Sequence, residues 1–347
     1  WRARAWCAML GSPMLAMRSG AGAIKVLAVV AVCVCALAMA SRADARWGFE
    51  LGIGEQGLAM FSDPRFAALG LEHVRLVVPY DVACRPGDAQ RYVDTWLAAA
   101  GRAGARPLVA FASSWRRWDL PSYRTYLRCM RAFRVRYPWV RDFNPWNEAN
   151  HGSQPTYHHP RRAAGYYNAL RRVCHGCNVA AGDVLDWWNM RRWLLEYTRH
   201  LRGRPRLWSM HNYVDVNLFR PWRLSGTRRM LRLTRGRLWI SETAGIVYYV
   251  REGRLGERHA AAATRWMLSL PSHSRRIRRV YAYQWQAECD PHTWDSAWFS
   301  ANGAARPSYR AVVAGLARER HLDAEAVKAL NPPLWPGAHD TCVAAGP

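Results

Sequence analysis

Lysine is nearly absent from this chain of 347 residues: Lys25 and Lys328 are the two it has, so almost all of its 50 basic residues are arginine. Acids are scarce as well, 25 in all, which leaves a formal net charge of +25 at pH 7. So few carboxylates favour a polyanionic neighbourhood such as an acidic glycan or a cell-wall polymer. Nucleic acid is the less favoured partner, and a basic surface that serves solubility alone stays open beside both. No Gly/Ser linker divides the chain, and no Gly-x-Ser-x-Gly elbow, His-Glu-x-x-His pair or Walker loop occurs. Those absences remove the common serine-hydrolase, zinc-protease and nucleotide-binding readings. His158-His159 lacks an evident third ligand, and Gly52-x-Gly54 is too short for a phosphate loop, so no metal and no cofactor is expected.

The amino-terminal stretch has the pattern of a secretory leader. Reading from Met17, Arg18 and Lys25 supply a positive n-region, Val26 to Ala40 an apolar h-region, and Ala43-Asp44-Ala45 a cleavage site. The apolar run is shorter than the roughly 20 residues of a spanning helix. The expectation is therefore a leader over residues 1–45, a mature chain from Arg46 without a membrane span, and a secreted or cell-envelope location. Of nine cysteines, Cys7, Cys33 and Cys35 fall in the leader; Cys84, Cys129, Cys174, Cys177, Cys289 and Cys342 remain. An even number in an exported chain suits disulfides. Cys174-His175-Gly176-Cys177 is the natural local pair; a zinc site would want a second such pair.

Eight short runs rich in β-branched and aromatic residues recur, separated by stretches with helical spacing. They are Trp47 to Ile53, His73 to Pro79, Arg106 to Phe111, Val140 to Pro145, Asn178 to Gly182, Leu207 to His211, Arg237 to Ser241 and Arg279 to Trp285. Strand alternating with helix eight times predicts an α/β fold, the (β/α)8 TIM barrel, over residues 46–320. Residues 321–347 read as an outside strap, pinned by Cys342.

Two glutamates stand at the ends of apolar runs, Glu148 in Asn144-Pro145-Trp146-Asn147-Glu148 and Glu242 in Leu238-Trp239-Ile240-Ser241-Glu242. An acid at a strand tip is costly unless the site uses it, and two on different strands can face each other across a barrel mouth. Two carboxyls so placed are the minimum equipment for glycoside cleavage. In these motifs the chain resembles the clan A glycoside hydrolases, retaining (β/α)8 enzymes. The resemblance implies that Glu148, in an Asn-Glu pair after strand four, is the acid/base, and that Glu242, after strand seven, is the nucleophile. It further implies that Arg75 of strand two hydrogen-bonds the nucleophile, that His211 or Tyr213 at the end of strand six contacts nucleophile and sugar, and that Trp285 floors the sugar subsite.

Chemistry adds its own demands. Glu148 must be protonated near neutral pH, which calls for an apolar setting that Trp146 beside it could supply. Asn147 is placed to hold a sugar 2-hydroxyl, and Asp186 and Asp295 are weaker candidates for other hydroxyls. The 19 tryptophans suit a saccharide cleft, with Trp115, Trp118, Trp187, Trp188, Trp294 and Trp298 near expected loops. Arg75 as a structural ion pair, Trp285 as core and His211 as a satisfied buried histidine remain open. The function expected is an exported retaining glycosidase acting on a poly- or oligosaccharide; the alternative is a catalytically silent barrel that binds a polyanionic glycan. For retention the two carboxyls should lie about 5–5.5 Å apart, against about 6.5–9.5 Å for inversion. Mass spectrometry of the exported protein should find Arg46 at the amino terminus and no free thiol among the six cysteines; an intact leader or six reduced cysteines would refute the assignment.

Overall fold

The computed structural model describes residues 48–116, 118–289 and 293–330. The leader, the Arg46 start and the Cys342 anchor lie outside the described residues. Nine strand segments form one parallel sheet: β1 (Glu50–Gly54), β2 (His73–Pro79), β3 (Arg106–Ala112), β4 (Asp142–Asn144), β5 (Asn178–Val179), β6 (Ala181–Leu185), β7 (Leu207–His211), β8 (Arg237–Thr243) and, later in the chain, β11 (Ile277–Tyr283). Their order is β5-β4-β3-β2-β1-β11-β8-β7-β6. The two ends of that order belong to one stave, because only Ala180 separates β5 from β6. Its amide reaches the Phe143 carbonyl on β4, while Ala181 pairs with Trp208 on β7. The sheet therefore closes into a ring of eight staves flanked by helices, the (β/α)8 barrel expected from the alternation.

Alternation along each strand decides what faces inward. On β2, Val74, Leu76 and Val78 are buried in the main apolar core, and Arg75 lies on the opposite face. Outside, the helix Met190–Arg199 buries Met190, Trp193, Leu194 and Tyr197, the spacing of an amphipathic stripe. Inside, Leu108, Ala180, Leu207, Trp239 and Tyr281 form a separate apolar layer. Below that layer the amino-terminal end of the barrel is shut by Arg279, which stacks 4.2 Å over Trp239 and pairs at 2.6 Å with both Glu50 and Asp142. Only the carboxyl-terminal mouth is left for a site.

Over the mouth sits a small antiparallel sheet of β9 (Tyr248–Tyr249), β10 (Gly253–Arg254) and β12 (Trp294–Asp295). Its strands are too short to leave a pattern in the sequence. The short helices Tyr213–Asn217 and Gly226–Leu233 were likewise not expected. Beyond residue 320 the described residues form a short helix, Ala324–Ala329, followed by Leu330, whose carbonyl accepts from the Tyr309 hydroxyl at 2.5 Å. Cys84 is bonded to Cys129 and Cys174 to Cys177, and Cys289 is disulfide-bonded too. No helix among the described residues is long and apolar enough to cross a membrane.

Gly52 lets the Tyr281 ring lie across the barrel interior: a Cβ there would sit 2.7 Å from Tyr281 Cδ1 and 2.8 Å from the His73 carbonyl. Gly52→Ala should therefore cost about 1–3 kcal/mol in chemical denaturation, whereas Gly152→Ala, with open space around the new Cβ, should change little. Equal stabilities for the two variants would show that the layer yields freely.

Candidate active site

Arg75 is the centre of the mouth. Its side chain is 1% exposed, and its guanidinium donates to Glu242 through Nη1 and to Asn147 Oδ1 through Nη2 at 2.6 Å. Nη2 also lies 3.5 Å from Asp183 and 3.3 Å from His211 Nε2. Glu242 is the penultimate residue of β8, and its other oxygen accepts from the Tyr213 hydroxyl at 2.9 Å. Glu148 lies just past β4. The Asn147 amide donates to the Phe111 carbonyl of β3, the Ala149 amide to the Asp183 carbonyl, and between these anchors Glu148 takes φ 49°. A left-handed backbone at a non-glycine residue stores strain that its surroundings must impose, and such strain gathers at functional positions.

His211 joins the two glutamates. Its Nδ1 is 3.2 Å from Glu148 and 3.9 Å from Glu242, and its Nε2 is 3.4 Å from Asp183. Single oxygens of Glu148 and Glu242 and a nitrogen of His211 all lie within 4.8 Å of one another.

The protonation pattern corrects one expectation. Burial pushes the Glu148 carboxyl up, but the hydrogen bond and charge of His211, with His151 and Arg75, hold it below the usual carboxylate range. His211 moves the other way: burial would lower it, yet Glu242, Asp183 and Glu148 raise it to about 10. Both shifts favour the proton on the imidazole over Glu148, whose neighbour is a histidine rather than an apolar wall.

The remaining expected residues fall elsewhere. Trp146 is 1% exposed, stacked between Tyr80 and Tyr166, its Nε1 donating to Gln154. It is core beneath Asn147 and lines no cleft. Trp285 lies beyond the end of β11 and is also 1% exposed. It packs on Phe66 and Phe299, and its Nε1 donates to Asp63. The aromatic of that stave that faces Glu242 is Tyr283, whose hydroxyl is pushed up by burial and then by the Glu242 charge. Asp186 does not reach for solvent. Its oxygens accept the Val214 and Asp215 amides at 3.2 and 2.7 Å, fixing the start of the helix that carries Tyr213. Asp295 is spent on Arg306 at 2.7 Å.

Three contributors were not foreseen. Asp183, fully buried at φ 56°, accepts from Ser241 as well as facing Arg75 and His211. The one charged residue in the apolar run Ala181–Leu185 was the available signal. Glu55, just past β1, accepts the Trp285 amide at 2.9 Å and so shapes the loop after Tyr283. His151 stands 4.0 Å from Glu148 and packs edge-on against Trp187; nothing in the sequence distinguishes it.

Glu148, His211 and Glu242 have the spacing of a cation site. A cation there would need His211 to lose the proton it binds strongly, and Glu242 to give up Arg75 and Tyr213. The set is better matched to holding a proton than a metal.

No family model and no curated protein matches the sequence. Among solved structures, the fold is similar to a GH5_18 protein from Streptomyces cattleya in complex with GlcNAc, with a TM-score of 0.56 at 16% identity over 79% of this chain and 81% of that one. It is also similar to xylanase 10B from Thermotoga maritima, with a TM-score of 0.55 at 10% identity over 79% and 97%. A β-glucosidase from Thermotoga maritima in complex with glucoimidazole gives a TM-score of 0.52 at 9% identity over 81% and 100%.

Because His211 binds its proton more tightly when folded, its stabilisation is complete below about pH 6.5, the unfolded value, and is lost as pH rises through about 10. Thermal unfolding followed from pH 6 to pH 11 should show the wild type losing more stability over that window than His211→Asn. Parallel curves would mean that the imidazole is neutral in the folded protein.

Proposed function

We propose that the protein is a retaining glycoside hydrolase, with Glu242 as nucleophile and Glu148 as acid/base. The observation that carries this reading is the placement of the two carboxyls within 4.8 Å at the barrel mouth. That is near the about 5–5.5 Å of retaining enzymes and short of the about 6.5–9.5 Å that leaves room for an inverting water. The fold neighbours lend it support as barrels whose names are those of glycosidases.

Glu242, ionised and held by Arg75 and Tyr213, attacks the anomeric carbon while the bond to the leaving oxygen breaks. The leaving oxygen takes a proton from Glu148. That proton comes from His211 along the 3.2 Å contact. A sugar covering the mouth excludes water, which raises a carboxyl and lowers an imidazole, so both changes drive the proton toward Glu148. In the second half-reaction the water oxygen bonds to the anomeric carbon as the ester bond to Glu242 breaks, and the water proton passes to Glu148 and back along the same contact to His211. Asn147, positioned by Arg75, lies where a sugar 2-hydroxyl would be held. The disulfides fit an exported protein of the secreted or cell-envelope kind.

Turnover of activated aryl glycosides should give product of retained anomeric configuration by proton NMR. Glu242→Ala should lower kcat by roughly a thousandfold or more, with saccharide binding preserved, and Glu148→Gln should lower it by about a hundredfold or more. If both variants match the wild type, the assignment is wrong. A wild type that binds acidic glycan without any turnover would favour the silent barrel.

A further inference from the structure

On the β2–β3 side of the mouth lies a shallow recess of about 200 Å³, open to solvent and lined by residues that the proposed chemistry does not use. It is smaller than a site that encloses a whole ligand and suits one ring of a longer chain. On one wall Pro79 ends β2 and Asp81 follows it, and on the other Ser114, Trp115 and Arg116 follow β3. Ser114 is three residues beyond Phe111, whose carbonyl accepts the Asn147 amide. At about 3.3 Å per extended residue the recess begins roughly 10 Å from the Asn147–Glu148 corner. A saccharide chain of a few rings spans that gap.

The walls carry two complementary features. Trp115 is 56% exposed. Its one ring partner among the described residues is Tyr92, tilted against it at 6.1 Å, which leaves indole surface to stack on a sugar. Among the lining charges, Asp81 is consumed by Ser114 Oγ at 2.9 Å and by Arg85 at 3.0 Å. Asp88 is paired with Arg91. Arg116, exposed beside Gly87, has no carboxylate partner among the described residues. The wall is firm: Cys84, next to Arg85, is bonded to Cys129 on the helix Tyr123–Arg136.

We propose that this recess is a distal subsite in which Trp115 stacks on a uronic-acid ring and Arg116 receives its carboxylate, so that the substrate is an acidic polysaccharide. The proposal deepens the glycosidase reading and rests on it for the word substrate, but binding itself needs no turnover. A fork-shaped guanidinium is the group that matches a carboxylate, and an unpaired one beside an exposed indole distinguishes an acidic sugar from a neutral one.

Titration calorimetry of the full chain at physiological salt tests it, with oligogalacturonate and hyaluronan oligosaccharides as acidic probes and xylo- and manno-oligosaccharides as neutral ones. An acidic probe should bind, and Arg116→Gln and Trp115→Ala should each weaken it by about tenfold. Arg128→Ala with Arg131→Ala, on the outer face of the helix Tyr123–Arg136, should leave the affinity unchanged. The proposal is overturned if no acidic probe binds, if neutral probes bind as well, or if the helix variant weakens binding as much as Arg116→Gln, which would mark diffuse surface charge. None of these failures bears on aryl glycoside turnover, and an inactive protein that still binds through Arg116 would sink the glycosidase reading alone.

Discussion

A guanidinium buried in the throat of the barrel sets the terms for everything around it. Arg75 is almost wholly removed from water, and a charge so placed is tolerable only when it is paired. Its Nη donors meet Glu242 on β8, Asn147 after β4 and Asp183 on β6, while Nε has no partner among the described residues. Three other staves are thereby held to β2 through one group, and the two glutamates take their relative position from it. Lysine could not replace it: one ammonium cannot direct parallel donors at a carboxylate and an amide oxygen. In this chain the preference for arginine is therefore structural at position 75, whatever its origin elsewhere.

Arg279 repeats the logic at the opposite end with a different balance. There one cation meets Glu50 and Asp142, and the apolar layer above covers the cluster, with the indole of Trp239 stacked on the guanidinium. At the mouth, Arg75 and His211 face Glu148, Glu242 and Asp183, so acids outnumber bases on the side open to ligand. On the proposed reading, a sugar ring losing its leaving group gathers positive charge, and a preorganised surplus of acids would stabilise that state without reorganisation. The bottom of the barrel is arranged for stability, and the mouth keeps an imbalance that a reaction can use.

Much of this was legible in the sequence because it depends on periodicity. β2 and β7 run over the residues their apolar runs marked, and the two glutamates fall at strand ends as the spacing required. Boundaries drifted where pairing rather than composition ends a strand: β11 stops at Tyr283, which takes Trp285 out of the throat and into a packed cluster with Phe66 and Phe299. Trp146 misled for a similar reason. Two residues before Glu148, it would share a face with it on an extended strand, and the left-handed backbone at Glu148 breaks that relation. Asp186 was placed in the right loop with the wrong partner, because a carboxylate that caps a short helix leaves no trace when the helix itself has only five residues. Asp183 could be suspected from its charge alone, but its role depends on three other staves, and such convergence has no local signature.

The protonation of Glu148 shows most clearly what a linear reading leaves out. An apolar wall would raise its pKa permanently, and then the same group would be a poor base for the water of the second step. A histidine neighbour makes the proton transferable instead. The Glu242 charge helps to raise His211; on the proposed mechanism that charge disappears when Glu242 becomes an ester, and the imidazole's hold weakens with it. Asp183, fixed beneath His211 by Ser241 and Arg75, keeps Nδ1 turned toward both glutamates throughout. On the proposed mechanism the acid and base behaviour of one carboxyl would thus be set by charge that moves during the reaction, with the buried residues keeping the moving proton within reach of it.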